Sequence, residues 1–355
     1  MFKLRLKYNN YIYITKSLIL KCLIYLFILK LGFFGFSQDP VFTQFYNVPE
    51  ALNPAFTGST GGDKLGVLNR TQWPGLDYSL TTQFFIYNKY IDYNRRGGIS
   101  RGYGLGLTVL NQVETVTRYN FIQVNLNYAQ QIQIKDDWFF YPAVSVGLGN
   151  KDYAFNNLVL GDQILINQGI ITMDSSDPFV LNNTKKFLDI GAGFLVFNES
   201  LWFGASYKHL NKPNTSFEDE GKNLLYGFLS VHGGYEFPFT LRQRYSNTDF
   251  KIHLNFNYMR QNDYDRIDLG SRFQIEAFTF GALATFAPTS LTDNSHKLTS
   301  INFVTNLDYK KFRFGYSYDL NVSSLLKTKG VFEISVSYIF DLGSGNNIAV
   351  PCGCR

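Results

Sequence analysis

From residue 64 onward the chain alternates apolar and polar side chains with period two, segment after segment, and nothing else in it restricts the fold as much. In residues 121–128, Ile122, Val124, Leu126 and Tyr128 alternate with Gln123, Asn125 and Asn127. In residues 251–258, Ile252, Leu254, Phe256 and Tyr258 alternate with His253, Asn255 and Asn257. Residues 301–309 and 332–340 repeat the pattern, the latter with Phe332, Ile334, Val336, Tyr338 and Phe340 on one side and Glu333, Ser335 and Ser337 on the other. Successive side chains of a strand point to opposite faces, so each segment has one apolar and one wet face. No stretch after residue 37 carries a sustained 3.6-residue period.

A soluble sandwich also alternates, but three features favour a membrane wall. The segments are often ten or more residues long, the tilted length that crosses a bilayer. Tyr and Phe crowd the ends of the apolar faces, where aromatic girdles sit. The connections alternate between tight and long. About fourteen strands are expected, at 64–73, 77–88, 101–112, 117–134, 138–151, 186–197, 200–209, 224–237, 249–260, 265–276, 278–287, 297–309, 312–320 and 330–341. Tight joins fall at 135–137, 198–199, 277 and 310–311; long ones at 152–185, 210–223, 288–296 and 321–329. Connections 89–100 and 238–248 are longer than that alternation wants. Composition agrees. Aromatic residues make up 17%, charged residues only 17%, and mean hydropathy is −0.11, too polar for a bundle of membrane helices. The expected fold is therefore all-β, a transmembrane antiparallel up-and-down β-barrel whose closure satisfies the backbone without water.

The formal charge of +5 comes from one end of the chain. Residues 1–37 hold Lys3, Arg5, Lys7, Lys16, Lys21 and Lys30 and no acid, leaving 27 basic against 28 acidic residues beyond them. That near-balance excludes the cationic face a nucleic-acid binder needs. The basic start, the apolar stretch to Phe36 and the small residues Gly35 and Ser37 read as a cleavable signal peptide, residues 1–37, with cleavage after Ser37. Lys21 directly before Cys22 fits poorly with a lipoprotein signal. Residues 38–63 lack strand alternation but carry Phe42, Phe45, Tyr46 and Phe56; such a segment is expected to fold into or against the lumen at its periplasmic mouth. The barrel follows at 64–341, then a tail at 342–355 holding Cys352 and Cys354. Two cysteines that close in sequence make a strained ring, so the tail is expected to carry exposed thiols.

The mature start reads QDPVFTQFYNVPEALNPAFTG, with Asp39, Pro40, Phe42, Gln44, Asn53, Pro54, Ala55 and Gly58 as its landmarks; a turn with Gln72, Trp73 and Pro74 follows. Further on stand Gly315-Tyr316-Ser317-Tyr318-Asp319 and the strand with Glu333. Together these resemble the PorP/SprF family of the Bacteroidetes type IX secretion system, which opens on a QDPxFxQ…NPAxxG segment and continues with a QWPGL-like turn. The resemblance implies a non-enzymatic outer-membrane component that assists export or surface attachment of a large secreted partner. That partner is often an adhesin with a type IX carboxy-terminal domain, and other secretion subunits are implied partners. The named landmark residues would make partner or plug contacts. Both mature termini are expected in the periplasm and the long loops outside, with outer-membrane lipid around the wall. A porin-like or ligand-transporting channel is the competing reading, since fourteen strands can enclose a pathway.

No catalytic, cofactor or metal site emerges. His209, His232, His253 and His296 lack ligand spacing, and His253 reads as a lumen hydrogen-bonder. Gly102, Gly104, Gly191 and Gly193 sit in strands with no following helix and read as barrel glycines, not phosphate cradles. The acidic run from Glu218 to Glu220 reads as a solvated loop tip.

Overall fold

The computed structural model describes residues 39–76, 79–94, 101–116, 118–135, 137–153, 163–165, 170–171, 184–217, 221–242, 247–288, 298–322, 328–342 and 350–354. The signal-peptide segment, His296, the run from Glu218 to Glu220 and most of loop 152–185 lie outside them.

Among the described residues seventeen strands occur in chain order: β1 (Gly62–Gln72), β2 (Leu80–Asn94), β3 (Arg101–Glu114), β4 (Asn120–Gln130), β5 (Ile132–Lys135), β6 (Trp138–Asp152), β7 (Ile164–Leu165), β8 (Ile170–Ile171), β9 (Thr184–Phe197), β10 (Leu201–Lys208), β11 (Phe228–Arg242), β12 (Asn247–Gln261), β13 (Tyr264–Ile275), β14 (Phe278–Phe286), β15 (Leu298–Tyr309), β16 (Phe312–Asn321) and β17 (Val331–Leu342). β5 continues β4 past Gln131, and β7–β8 form a small separate hairpin. The remainder make a closed antiparallel barrel of 14 strands. Sequence neighbours pair throughout, β1 pairs with β17, and β4 pairs with β6, so the ring has no free edge.

The wall is inverted relative to a soluble protein. On β4, Leu126 is 66% exposed while Gln123 is 7% exposed; on β17, Ile334 is 58% exposed and Glu333 0%. Apolar side chains face outward where lipid lies, and polar ones fill the interior. All fourteen expected strands are present. Two overlong connections shrink: β2 runs on to Asn94, and β11 runs through Pro238 to Arg242, leaving 95–100 and 243–246 as joins. Pro238 pairs there with Lys251, on the same face as Glu236 and past the end of the β10 pairing, so it interrupts the pattern without ending the strand.

The joins now sort by rim. One rim carries 95–100, 136–137, 198–200, 243–246, 276–277 and 310–311, all short; the other carries 73–79, 115–119, 153–183, 209–227, 287–297 and 322–330, with a tight Asn262-Asp263 turn among them. Gly62 and Leu342 share the short-turn rim, as an even strand number requires.

The tail corrects one expectation outright. Cys352 and Cys354 are not exposed thiols: both are buried, and they form a disulfide. Basic side chains inside the barrel draw residues 350–354 into the lumen, a pull invisible in the tail's own sequence.

Candidate functional site

Residues 39–61 fill the lumen as an internal plug. Two prolines open its 3-10 turns, Pro49–Ala51 and Pro54–Phe56. Asn53 caps the second, its Oδ1 accepting from the Ala55 amide at 2.9 Å. Gly58 takes φ +74°, which glycine adopts without strain. Phe42, Phe45, Tyr46, Val48, Leu52, Ala55 and Phe56 are all buried. Phe42 meets Phe84 at 5.5 Å, Phe56 meets Trp202 at 5.7 Å, and the Arg272 guanidinium lies 3.7 Å above the Tyr46 ring.

The plug touches the wall around most of the ring. Asn53 Nδ2 donates to the Phe194 carbonyl (2.9 Å) on β9 and the Ala205 carbonyl (3.3 Å) on β10, and lies 3.1 Å from His232 Nε2 on β11. Ser206 and Lys208 donate to the carbonyls of Leu52 and Ala51. Asn88 on β2 donates to the Glu50 carboxylate. Asn47 Nδ2 donates to Asn306 (2.9 Å) and Ser335 (3.0 Å). Glycines make room for this contact: a Cβ at Gly104 would lie 2.1 Å from the Thr57 carbonyl oxygen, and one at Gly193 or Gly315 would lie 2.3 Å from the amide oxygen of Asn53 or Gln44. Gly104 and Gly193, read from sequence as barrel glycines, thus serve the plug as well.

The strongest anchor is a buried charge cluster. The Glu333 carboxylate accepts from the Thr43 amide (2.9 Å), the Gln44 amide (2.8 Å) and Ser317 Oγ (3.2 Å), and it pairs with Arg70. Asp319 accepts from Thr43 Oγ1 at 2.7 Å and lies 3.4 Å from Arg70 Nη1. Gln44 Nε2 donates to the Glu333 carbonyl at 3.0 Å, and Ser335 Oγ donates to Gln44 Oε1 at 2.7 Å. A charge inside a membrane wall persists only when it faces the interior and is paired. Here two plug amides supply part of that pairing, so the cluster fixes both wall and plug.

A second anchor holds the plug's first described residue. Asp39 lies 3.0 Å from His209 Nε2, and His209 Nδ1 lies 2.8 Å from Asp189. The Asp39 amide donates to Gln261 at 2.8 Å, and Lys208 Nζ is 3.9 Å from its carboxylate. His209 follows the last residue of β10 and Gln261 ends β12, so Asp39 lies toward the long-loop rim and the plug threads the lumen's length. It reaches well past the single mouth expected from the sequence. Burial would lift Asp39, but the His209 charge and hydrogen bond, with Lys208 and Lys151, hold it well below the ordinary carboxylate range. Burial likewise opposes a charge on His209, yet Asp39 and Asp189 raise it to about 9. The signs of the two shifts set a pH window. The His209 contribution is complete below its ordinary 6.5 and is lost as pH rises through about 9. The Asp39 contribution is complete above its ordinary 3.8 and is lost as pH falls below it. Protection of the Val41 and Phe42 amides from hydrogen exchange is therefore expected to be greatest near pH 4–6.5, once corrected for the intrinsic rate, and to fall toward pH 9. In His209→Ala the alkaline fall should vanish; its persistence would count against the clamp.

Of the landmark residues, Asp39, Pro40, Phe42, Gln44, Asn53, Pro54, Ala55 and Gly58 come together with Gly315 and Asp319 in the lumen. Gln72 sits at its edge, accepting from Arg70 Nε at 3.2 Å. The others do not join them. Trp73 and Pro74 belong to the turn after β1, where Trp73 has φ 58° and its amide donates to the Gly330 carbonyl at 3.2 Å. Tyr316 points outward, and Tyr318 packs on Phe332 and against Gly330. Sequence reading missed Lys64, His209 and Arg272 as plug contacts and Arg70 and Asp189 as the charges behind them, and quoted Glu333 without assigning it a role. The available signal was a charge on the wet face of a spanning strand.

The profile of a family described as type IX secretion system membrane protein PorP/SprF matches residues 34–338. No curated protein matches the chain. Among solved structures, a triple mutant of the Rhodopseudomonas blastica porin is similar at 10% identity, covering 78% of this chain and 99% of that one, with a TM-score of 0.33. CdiB from Acinetobacter baumannii is similar at 11% identity, covering 79% of this chain and 60% of that one, with a TM-score of 0.43.

Proposed function

The chain belongs to the PorP/SprF family of type IX secretion system membrane proteins, and on that premise we propose that it acts by binding a secreted partner and not as an open pore or an enzyme. One observation carries this reading: the lumen is threaded by the chain's own residues 39–61, bonded to strands on opposite sides of the ring. A porin needs that space for solute; a docking platform does not. The partner is a large cargo protein or adhesin with a type IX carboxy-terminal domain, exported or held at the surface with other secretion subunits. In this reading the long loops face outward and the short-turn rim, with the tail, faces the periplasm. Residue 39 then lies toward the outer side and not in the periplasm.

Two measurements test the proposal. Purified full-length protein in planar bilayers should give no steady conductance, and porin-scale channels would favour the transport reading instead. A pull-down from intact outer membranes should bring down a large secreted protein. Deleting the gene should leave that protein unexported or unanchored; normal export and anchoring would sink the proposal.

A further inference from the structure

Three basic side chains near the short-turn rim converge on successive carbonyls of the tail. Arg272 Nη2 donates to the Cys352 carbonyl at 2.6 Å, Arg313 donates to that of Gly353, and Lys64 Nζ donates to that of Cys354 at 3.1 Å. Lys64 is the third residue of β1, Arg313 the second of β16, and Arg272 lies three from the end of β13, so all three sit by the rim where β17 ends. From these contacts we propose that Lys64, Arg272 and Arg313 form a peptide-binding cradle, occupied at rest by the chain's own tail and able to take a carboxylate-bearing extended peptide in its place.

Two features point beyond a merely structural contact. The cradle reads main-chain carbonyls and no side chain of the tail, so its recognition is not particular to this sequence. Among the described residues, its charge also exceeds what the tail's carbonyls offset. Among the described ion pairs Arg313 has Asp308, but neither Lys64 nor Arg272 has a carboxylate partner. Glu50 influences Lys64 electrostatically, yet its carboxylate accepts from Asn88. Arg272 is 1% exposed and its Nε has no partner. Buried cations facing neutral carbonyls bind a carboxylate more strongly, because a full ion pair replaces a bond between a charge and a dipole. The tether matters as well: only residues 343–349 separate β17 from Val350, so the tail acts at an effective concentration on the order of millimolar. A free peptide competes only when the tail is withdrawn. This inference does not depend on the secretion role.

The test uses a fluorescent peptide with the sequence of residues 350–355, oxidised, as free acid and as amide. The full-length barrel should not take it up at micromolar concentration. A chain ending at Leu342, still running as the heat-modifiable folded form, should bind the acid roughly tenfold more tightly than the amide. Arg272→Gln in that chain should weaken binding by a similar factor. A folded truncated barrel that ignores the peptide, or binds acid and amide alike regardless of Arg272, overturns the proposal. Should truncation prevent folding, the full-length R272Q variant decides: its tail should become open to carboxypeptidase, and continued protection would refute the cradle.

Discussion

Arg70→Met is expected to destabilise the folded barrel by about 3–5 kcal/mol, the range for removing one partner of a buried ion pair. The substitution keeps most of the side-chain volume, so the loss is electrostatic. Glu333 and Asp319 both sit against the Arg70 guanidinium, and both are buried. Without that cation two acidic side chains are left facing each other in a low-dielectric site. The plug suffers with them, because the Glu333 carboxylate holds the amides of Thr43 and Gln44. Urea titration of the heat-modifiable band measures the effect. Adding Glu333→Gln to Arg70→Met should recover part of the loss, since a neutral amide still accepts from the plug and one buried carboxylate, that of Asp319, remains in place of two. If the double variant is as unstable as the sum of the two single ones, the cluster is not a coupled unit.

Gly104→Val should unseat the plug while leaving the wall intact. Its Cβ would lie 2.1 Å from the Thr57 carbonyl oxygen and 2.6 Å from the Thr57 carbonyl carbon, far inside van der Waals contact. The obstacle is backbone, so no side-chain rotation relieves it. Residues 57–58 must retreat, and overpacking of this kind costs about 1–3 kcal/mol or more. Two readouts should move together: protease cleavage within residues 39–61 should accelerate, and bilayer recordings should show conductance absent from the unaltered protein. At Gly106 the neighbours are the Asn88 amide oxygen and the Thr57 methyl, both side-chain atoms, so Gly106→Ala should be milder. Leu105→Val, on the outward face of the same strand, should be silent in both assays. Conductance unchanged in Gly104→Val, with the plug newly cleavable, would mean that residues 39–61 are not what blocks the lumen.

Strand placement was legible because the wall is a one-dimensional code. Ile122, Gln123, Val124 and their successors must alternate wherever lipid lies on one side and polar interior on the other. Legibility faded at the rims. Residues 89–94 and 239–242 extend beyond the alternating core, and Pro238 imitates a strand end although its missing amide is tolerated. The aromatic, non-alternating stretch 38–63 announced that it would be packed. Nothing local announced that Thr43 would meet Glu333, 290 positions away.

What the sequence determined alone is the barrel: strand number, the outward and inward faces, and the presence of an inserted amino-terminal segment. Each follows from side-chain polarity along a backbone that must satisfy its own hydrogen bonds in lipid. What only the tertiary structure decided is the interior: how far the plug travels, which charges pair, and that Cys352 and Cys354 end inside the barrel. Those outcomes depend on ring closure, which brings β1, β13, β16 and β17 around one cavity and turns scattered wet-face charges such as Lys64, Arg70, Arg272 and Glu333 into partners for chain segments far from them in sequence.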